Sequence, residues 1–189
     1  AYLAWTQLPA LATRHGLELE PQPLLFAAML DARKARGPAE DPARRPYIIR
    51  DLARIAHRFQ VPFVLPPTHP FNPLLALRLT SLPMPVEQRL SLIALLFRAT
   101  WATGEGITDP TVVARIAREA GLPSSALDDA QSADNKARVK AQTQRAMADG
   151  AFGVPTFFVD GQQFFGCDSL PHLEHYLLGG DVVSPALVE

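Results

Sequence analysis

The 189-residue chain contains one cysteine, Cys167. A single thiol cannot build a disulfide framework, a CxxC redox pair or a multi-thiolate metal site within the chain. Surplus charge is lacking as well. Eighteen Lys and Arg stand against 19 Asp and Glu, a formal net charge of −1. That balance offers no basic excess for nucleic acid or for an anionic membrane surface, and neither partner is expected. No stretch reaches the roughly 18 uninterrupted apolar residues of a membrane span. Residues 1–11 lack the basic start and clean apolar run of a secretory signal, so a cytoplasmic location is expected.

What is present is ordinary globular composition, 48% hydrophobic and 20% charged. The length suits one domain, or a small domain carrying an insertion, and is enough to bury a core. Proline is abundant, 18 of 189 residues, about twice the usual share. The prolines are scattered, so they punctuate helices and form no low-complexity tract.

Ala4, Leu8, Leu11 and Ala12 form a helical stripe that Gly16 is placed to end, with Pro9 as a kink. Leu17, Leu19 and Gln22 to Leu25 read as a strand. A basic, proline-bearing loop follows from Arg33 to Pro46. Ile48, Leu52, Ile55 and Phe59 then share one helical face, with Arg50, Arg54 and Arg58 pointing elsewhere. Residues 61–73 are a proline-rich connection, and Leu74 to Leu82 is a short helix. Pro85 opens a helix whose face carries Leu90, Ala94, Phe97 and Trp101, read as core. Asp109-Pro110 is a cap followed by a first-turn proline, and Gly121 closes that helix. Residues 132–149 form a polar helix ended by Gly150. Thr156 to Val159 is β-branched and aromatic, Asp160-Gly161 signals a type I′ turn, and Gln162 to Phe165 is the return strand. Gly166 breaks it, and Asp168 or Ser169 is placed to cap a last helix carrying Leu170, Leu173 and Leu177. Strands at both ends with helices between describe a sheet domain interrupted by a helical insertion.

Histidines add little. His172 and His175 lie three apart without a third ligand and read as a solvated face, so no metal site is expected. His15, His57 and His69 are isolated and read as structural or surface residues. The informative string runs from Gly153 to Gly161. A proline that opens a strand cannot donate to the ladder, and Pro155 fits there as a cis residue in a tight turn.

That string, followed by a hairpin and a terminal helix, resembles the thioredoxin superfamily, and the helical insertion points to its DsbA-like branch. Within the branch the chain resembles 2-hydroxychromene-2-carboxylate isomerases, relatives of kappa-class glutathione transferases. The residues that carry this are Ala1-Tyr2-Leu3-Ala4, Arg50-Asp51-Leu52, Phe71-Asn72 with Leu74-Leu75-Ala76-Leu77-Arg78, and Gly153 through Asp168. The resemblance implies an α/β fold: a thioredoxin-like domain, residues 1–27 and 141–189, interrupted by an all-helical insertion at 28–140. Its first strand is expected upstream of residue 1. Dithiol oxidoreductases of the branch place the second cysteine of Cys-Pro-x-Cys where this chain has Ala1, which disfavours a dithiol oxidase. The isomerase and kappa pattern uses a serine that would lie three residues before Ala1, so no catalytic residue is assigned within the chain.

The activity implied is glutathione-dependent cis–trans isomerisation of a 2-hydroxychromene-2-carboxylate, an intermediate of aromatic degradation. A thiolate that adds reversibly to a carbon–carbon double bond allows rotation and then leaves. A helix N-terminus favours such a thiolate. Carried over position by position, the Val154 main chain beside Pro155 pairs with the cysteinyl backbone of glutathione. Phe165, Gly166, Cys167 and Asp168 receive the γ-glutamyl end, with Asp168 on its ammonium. Asn72 faces the substrate. The family usually has a lysine in a Leu-Phe-Lys-Ala-Thr-Gly string, whereas this chain reads Met29-Leu30-Asp31-Ala32-Arg33-Lys34, with Asp31 near the lysine position. Arg33, Lys34, Arg44 or Arg45 could take over a substrate carboxylate, and Arg44 is the residue selected. A kappa-like glutathione transferase or peroxidase, and a non-catalytic thioredoxin-like binding protein, are the alternatives. The partner expected is a small aromatic molecule, and a homodimer is compatible with the resemblance.

Overall fold

Prolines set where several of the helices begin. Pro9, Pro46, Pro110 and Pro171 each occupy the first turn of a helix, where the missing N–H has no intrahelical partner to lose. The architecture comes from a computed structural model, which describes residues 1–180 and 183. In chain order it has α1 (Tyr2–Trp5), α2 (Leu8–His15), α3 (Phe26–Ala32), α4 (Arg45–Phe59), α5 (Leu74–Thr80), α6 (Val86–Phe97), α7 (Pro110–Glu119), α8 (Ala126–Gln131) and α9 (Ala133–Ala148). A hairpin follows, β1 (Thr156–Val159) and β2 (Gln162–Phe165), and then α10 (Leu170–Leu177). A π-helical turn, Arg98–Ala102, extends α6.

The hairpin forms as its turn chemistry predicts. Asp160 and Gly161 both have positive φ, 48° and 78°, as a type I′ turn requires. The strands pair antiparallel with Thr156 opposite Phe165 and Val159 opposite Gln162. Asp109 also caps α7 as expected, its carboxylate accepting the Thr111 N–H at 2.8 Å. Gly16 ends α2 in the left-handed conformation.

Three expectations are corrected. The predicted strand over residues 17–25 does not form, and among the described residues the sheet has two strands only. The Leu17 N–H continues the tail of α2 by donating to the Ala12 carbonyl at 2.9 Å. Pro21 and Pro23 have no N–H to give, and the Leu25 N–H goes to Thr143 Oγ1 of α9 at 3.0 Å. The leucine–glutamate alternation therefore runs along a connection, not a ladder. The N-terminal helix is not merely kinked but divided, because Pro9 cannot make the bond to the Trp5 carbonyl that a continuous helix needs. Neither predicted cap holds α10: Ser169 is the N-cap residue without a side-chain cap bond, and its hydroxyl donates back to the Gly166 carbonyl at 2.9 Å.

Three apolar clusters hold these elements together. Leu79, Leu92, Val113 and Ile116 centre the first, among α5, α6, α7 and α8. Full burial of a leucine such as Leu92 contributes roughly 1.5–3 kcal/mol. The second packs Phe157, Val159 and Phe164 of the hairpin onto Ala4, Leu11, Leu170 and Leu173. The third joins α1 to α4 through Tyr2, Leu3 and Ala56, with Leu52, Phe97 and Trp101 around them. Cys167 belongs to the second and third clusters alike. Among the described residues no helix is long and apolar enough to cross a membrane.

Candidate functional site

The hairpin register does the first part of the assembly. Because Thr156 faces Phe165, the residues just before β1 lie beside those just after β2. The Gly166 N–H donates to the Pro155 carbonyl at 2.9 Å and ties the two loops together. Val154, Pro155, Phe165, Gly166, Cys167 and Asp168 are therefore neighbours. The Val154–Pro155 bond is cis, as expected from the sequence. Among the described residues, neither the N–H nor the C=O of Val154 has a hydrogen-bond partner. A main chain free in both directions can pair with another extended backbone.

Two glycines shape this loop pair. A Cβ at Gly153 would lie 2.6 Å from Phe165 Cε2, so the Phe165 ring covers the loop only because residue 153 lacks a side chain. That ring also packs on Phe152, with centroids 4.5 Å apart, and the Arg33 guanidinium lies 5.6 Å above the Phe152 ring. Gly166 is buried at φ 88°, a left-handed conformation that favours glycine. A Cβ there would collide with the Asp168 carboxylate. Asp168 itself is exposed and carries no hydrogen bond among the described residues. Cys167 is half-buried. Burial pushes its thiol above the ordinary range, with the Asp168 carboxylate adding to the shift.

A cavity of about 130 Å³ forms the second part. Arg45, Ile48, Ile49 and Leu52 of α4 make one wall, and Leu65, Pro66, Pro67 and His69 of the proline-rich connection make another. Trp101 closes it from the π turn. The turn is locked where the Val64 N–H donates to the Trp101 carbonyl at 2.7 Å. The indole stacks on Phe63 at 6.1 Å and meets the His69 ring edge-on at 5.4 Å. Burial, aided by the Arg45 guanidinium, pulls the His69 imidazole below its ordinary value, so it is neutral at neutral pH. Leu52 and Trp101 wall the cavity and also pack in the cluster that reaches Cys167. The Tyr2 hydroxyl, donating to the Pro62 carbonyl at 2.7 Å, fastens α1 to the same connection. Burial pushes the Tyr2 phenol upward, so it keeps the proton that this bond uses.

The remaining candidates are placed as follows. Asn72 is exposed, and its Oδ1 accepts the Leu74 N–H at 3.0 Å at the start of α5. Arg44 and Arg45 are both exposed; Arg44 is ion-paired with Asp41 at 3.3 Å, and Arg45 lies at the rim of the cavity. Asp31 lies exposed on α3. His172 and His175 are exposed, and the described residues hold no metal-binding cluster. Trp101 packs against the third cluster, as its place on the leucine stripe predicts, but the sequence gives no sign that it also walls a cavity beside His69. A π turn, which re-aims a side chain late in a helix, leaves no pattern in the leucine stripe that leads into it.

Residues 1–178 match the DSBA-like thioredoxin domain family, and the chain belongs to it. The fold is the DsbA-like thioredoxin fold, mostly helical with a small antiparallel sheet. A 2-hydroxychromene-2-carboxylate isomerase of Sphingobium xenophagum is 28% identical over 181 residues, 94% of this chain and 92% of that protein. Glutathione S-transferase kappa 1 of Rattus norvegicus is 27% identical over 185 residues, 90% of this chain and 81% of that one. A solved structure of a 2-hydroxychromene-2-carboxylate isomerase matches with a TM-score of 0.86 at 25% identity, covering 97% of this chain and 93% of its own. The resemblance read from the motifs thus extends over nearly the whole chain, within a group of isomerases and transferases.

Proposed function

We propose that this protein is a glutathione-dependent isomerase acting on a 2-hydroxychromene-2-carboxylate or a similar intermediate of aromatic degradation. The observation that carries the reading is the unpaired Val154 main chain, set beside the Cys167–Asp168 loop, with Cys167 packed in the same apolar cluster as two walls of an aromatic-lined cavity. The loop pair fits a small extended peptide. Val154 offers a donor and an acceptor, Gly166 leaves the approach clear, and Asp168 presents a free carboxylate suited to an ammonium group.

When bound, glutathione supplies a thiol that adds reversibly to a carbon–carbon double bond and so permits rotation about it. The chain's own residues do the rest. Val154 fixes the peptide by its main chain, and Asp168 holds the amino end. Phe165 flanks the loop against water. Leu52 and Trp101 bring the cavity up to the loop, so an aromatic substrate and a peptide thiol share one apolar wall. Residues 1–27 and 141–189 serve the thiol ligand in this reading, and residues 28–140 serve the substrate. Asn72 keeps its amide NH₂ for the substrate side while its oxygen starts α5. A cytoplasmic setting would keep the ligand thiol reduced.

A kappa-like transferase activity is the second reading. It is favoured by the kappa relative. The two separate by turnover. Isomerisation of the chromene followed by its ultraviolet absorbance should be absent without glutathione and saturable with it. Conjugation of a halogenated aromatic with no chromene turnover would replace the first reading by the second.

A further inference from the structure

We propose that the outward face of α4 is a docking surface for a short acidic helical segment of a partner protein, held by the row Arg50, Arg54 and Arg58 and anchored at one end by Tyr47. This surface is separate from the loop pair and the cavity, and it stands whether or not the chain is an isomerase.

The helix buries one side only. Leu52, Ile55, Ala56 and Phe59 pack in the third cluster. Tyr47, Arg50, Arg54 and Arg58 fall at i, i+3, i+7 and i+11 on the opposite side, and all four are exposed. The Tyr47 ring is 63% exposed. Among the described residues the three arginines have no ion pair, and the nearby Asp51 pairs with none of them.

This row works against the helix that carries it. Like charges four residues apart repel and destabilise a helix. Arg45 opens α4 with no acidic residue in the first turn, against the helix dipole. Other helices of the chain avoid the conflict: Arg115 of α7 pairs with Glu119, and Arg145 of α9 with Asp149, each four residues on. A local rule broken in one place and kept in others points to function there.

The charge pattern selects the occupant. Residues 33–58 carry eight of the 18 Lys and Arg and three of the 19 Asp and Glu, a local charge of +5 in a chain of −1. The remainder therefore carries −6 and repels a long polyanion or an anionic membrane that extends beyond the patch. A segment with a few carboxylates stays within it. The arginines recur about every 6 Å along the axis, the interval at which glutamates four apart recur on a partner helix. Exposed Tyr and Arg together are the residue types that anchor protein interfaces.

The test is fluorescence anisotropy with a labelled helical peptide bearing glutamate at every fourth position, beside a peptide of the same composition with its glutamates scattered round the helix. The first should bind saturably, more tightly than the second, and more weakly as salt is raised. Arg54→Gln should weaken it roughly two- to fivefold, and replacing all three arginines by Gln roughly tenfold or more. Arg118→Gln, which removes an equal charge from an exposed position on α7, should bind as the native protein does. Thermal melting gives a readout that a structural role would move: Arg54→Gln relieves repulsion and should keep or raise the Tm. A lowered Tm in that variant, no binding to the native protein, equal binding of the two peptides, or an equal loss in Arg118→Gln would overturn the proposal. So would tighter, arginine-dependent binding of oligothymidylate or phosphatidylserine vesicles, which would assign the face to nucleic acid or to a membrane.

Discussion

The two halves of the candidate site are built in opposite ways. The thiol-loop half comes from residues 153–168, brought together by one hairpin and one backbone bond from Gly166 to Pro155. The cavity half draws Arg45 from α4, His69 from a proline-rich connection and Trp101 from a π turn. The first is local and depends on turn chemistry. The second is assembled over long range and depends on the core beneath it. The loop edge needs few residues, whereas the cavity is re-aimed by any shift among three separate segments.

The contrast can be broken most forcefully in the insertion. Leu92→Ala empties a fully buried position at the centre of the first cluster and should cost about 2–5 kcal/mol in denaturant unfolding. Glutathione affinity of the remaining folded protein should hold, because the loop pair does not rest on that cluster. A parallel loss of affinity would mean that the two halves are not separable.

Gly153→Ala works on the other half. Its Cβ would press on the Phe165 ring, and a strained repacking of this kind costs roughly 1–3 kcal/mol. Phe165 should leave Phe152, and glutathione affinity should fall. An unchanged affinity would show that Phe165 plays no part in shaping the loop.

The smallest expected effect concerns Cys167. Burial raises its pKa, so the thiol stays protonated at neutral pH, and only the thiolate reacts with an alkylating agent. Alkylation by iodoacetamide, read by mass spectrometry, should be slow near pH 7 and should speed up as pH climbs toward and past the raised pKa. Rapid labelling at pH 7 would mark Cys167 as an activated thiol and would move the chemistry from a borrowed nucleophile to the chain's own.

The same contrast explains what the sequence made legible. Asp160-Gly161 and Pro155 announce the hairpin because type I′ turns and strand-opening prolines are local requirements; the six loop residues came from the family resemblance, and the hairpin makes them neighbours. Leu17 to Leu25 misled for the converse reason. Alternation shows that a segment could be a strand but not that a partner lies beside it, and here Pro21, Pro23 and the Leu25–Thr143 bond lead the chain elsewhere. The different placements of Arg44 and Arg45 leave no mark in the sequence either. One residue of helical rotation separates an arginine paired with Asp41 from one at the rim of the cavity. Trp101 looked like the last residue of a leucine stripe because a π turn changes a side chain's aim without changing its spacing.

The most direct test of the central claim is calorimetric titration of glutathione into the native protein beside Asp168→Ala. Saturable binding that weakens roughly tenfold in the variant is the result predicted for a loop in which Val154 pairs with the peptide and Asp168 takes its ammonium. No binding to the native protein, or equal binding to both, would contradict that account of the loop.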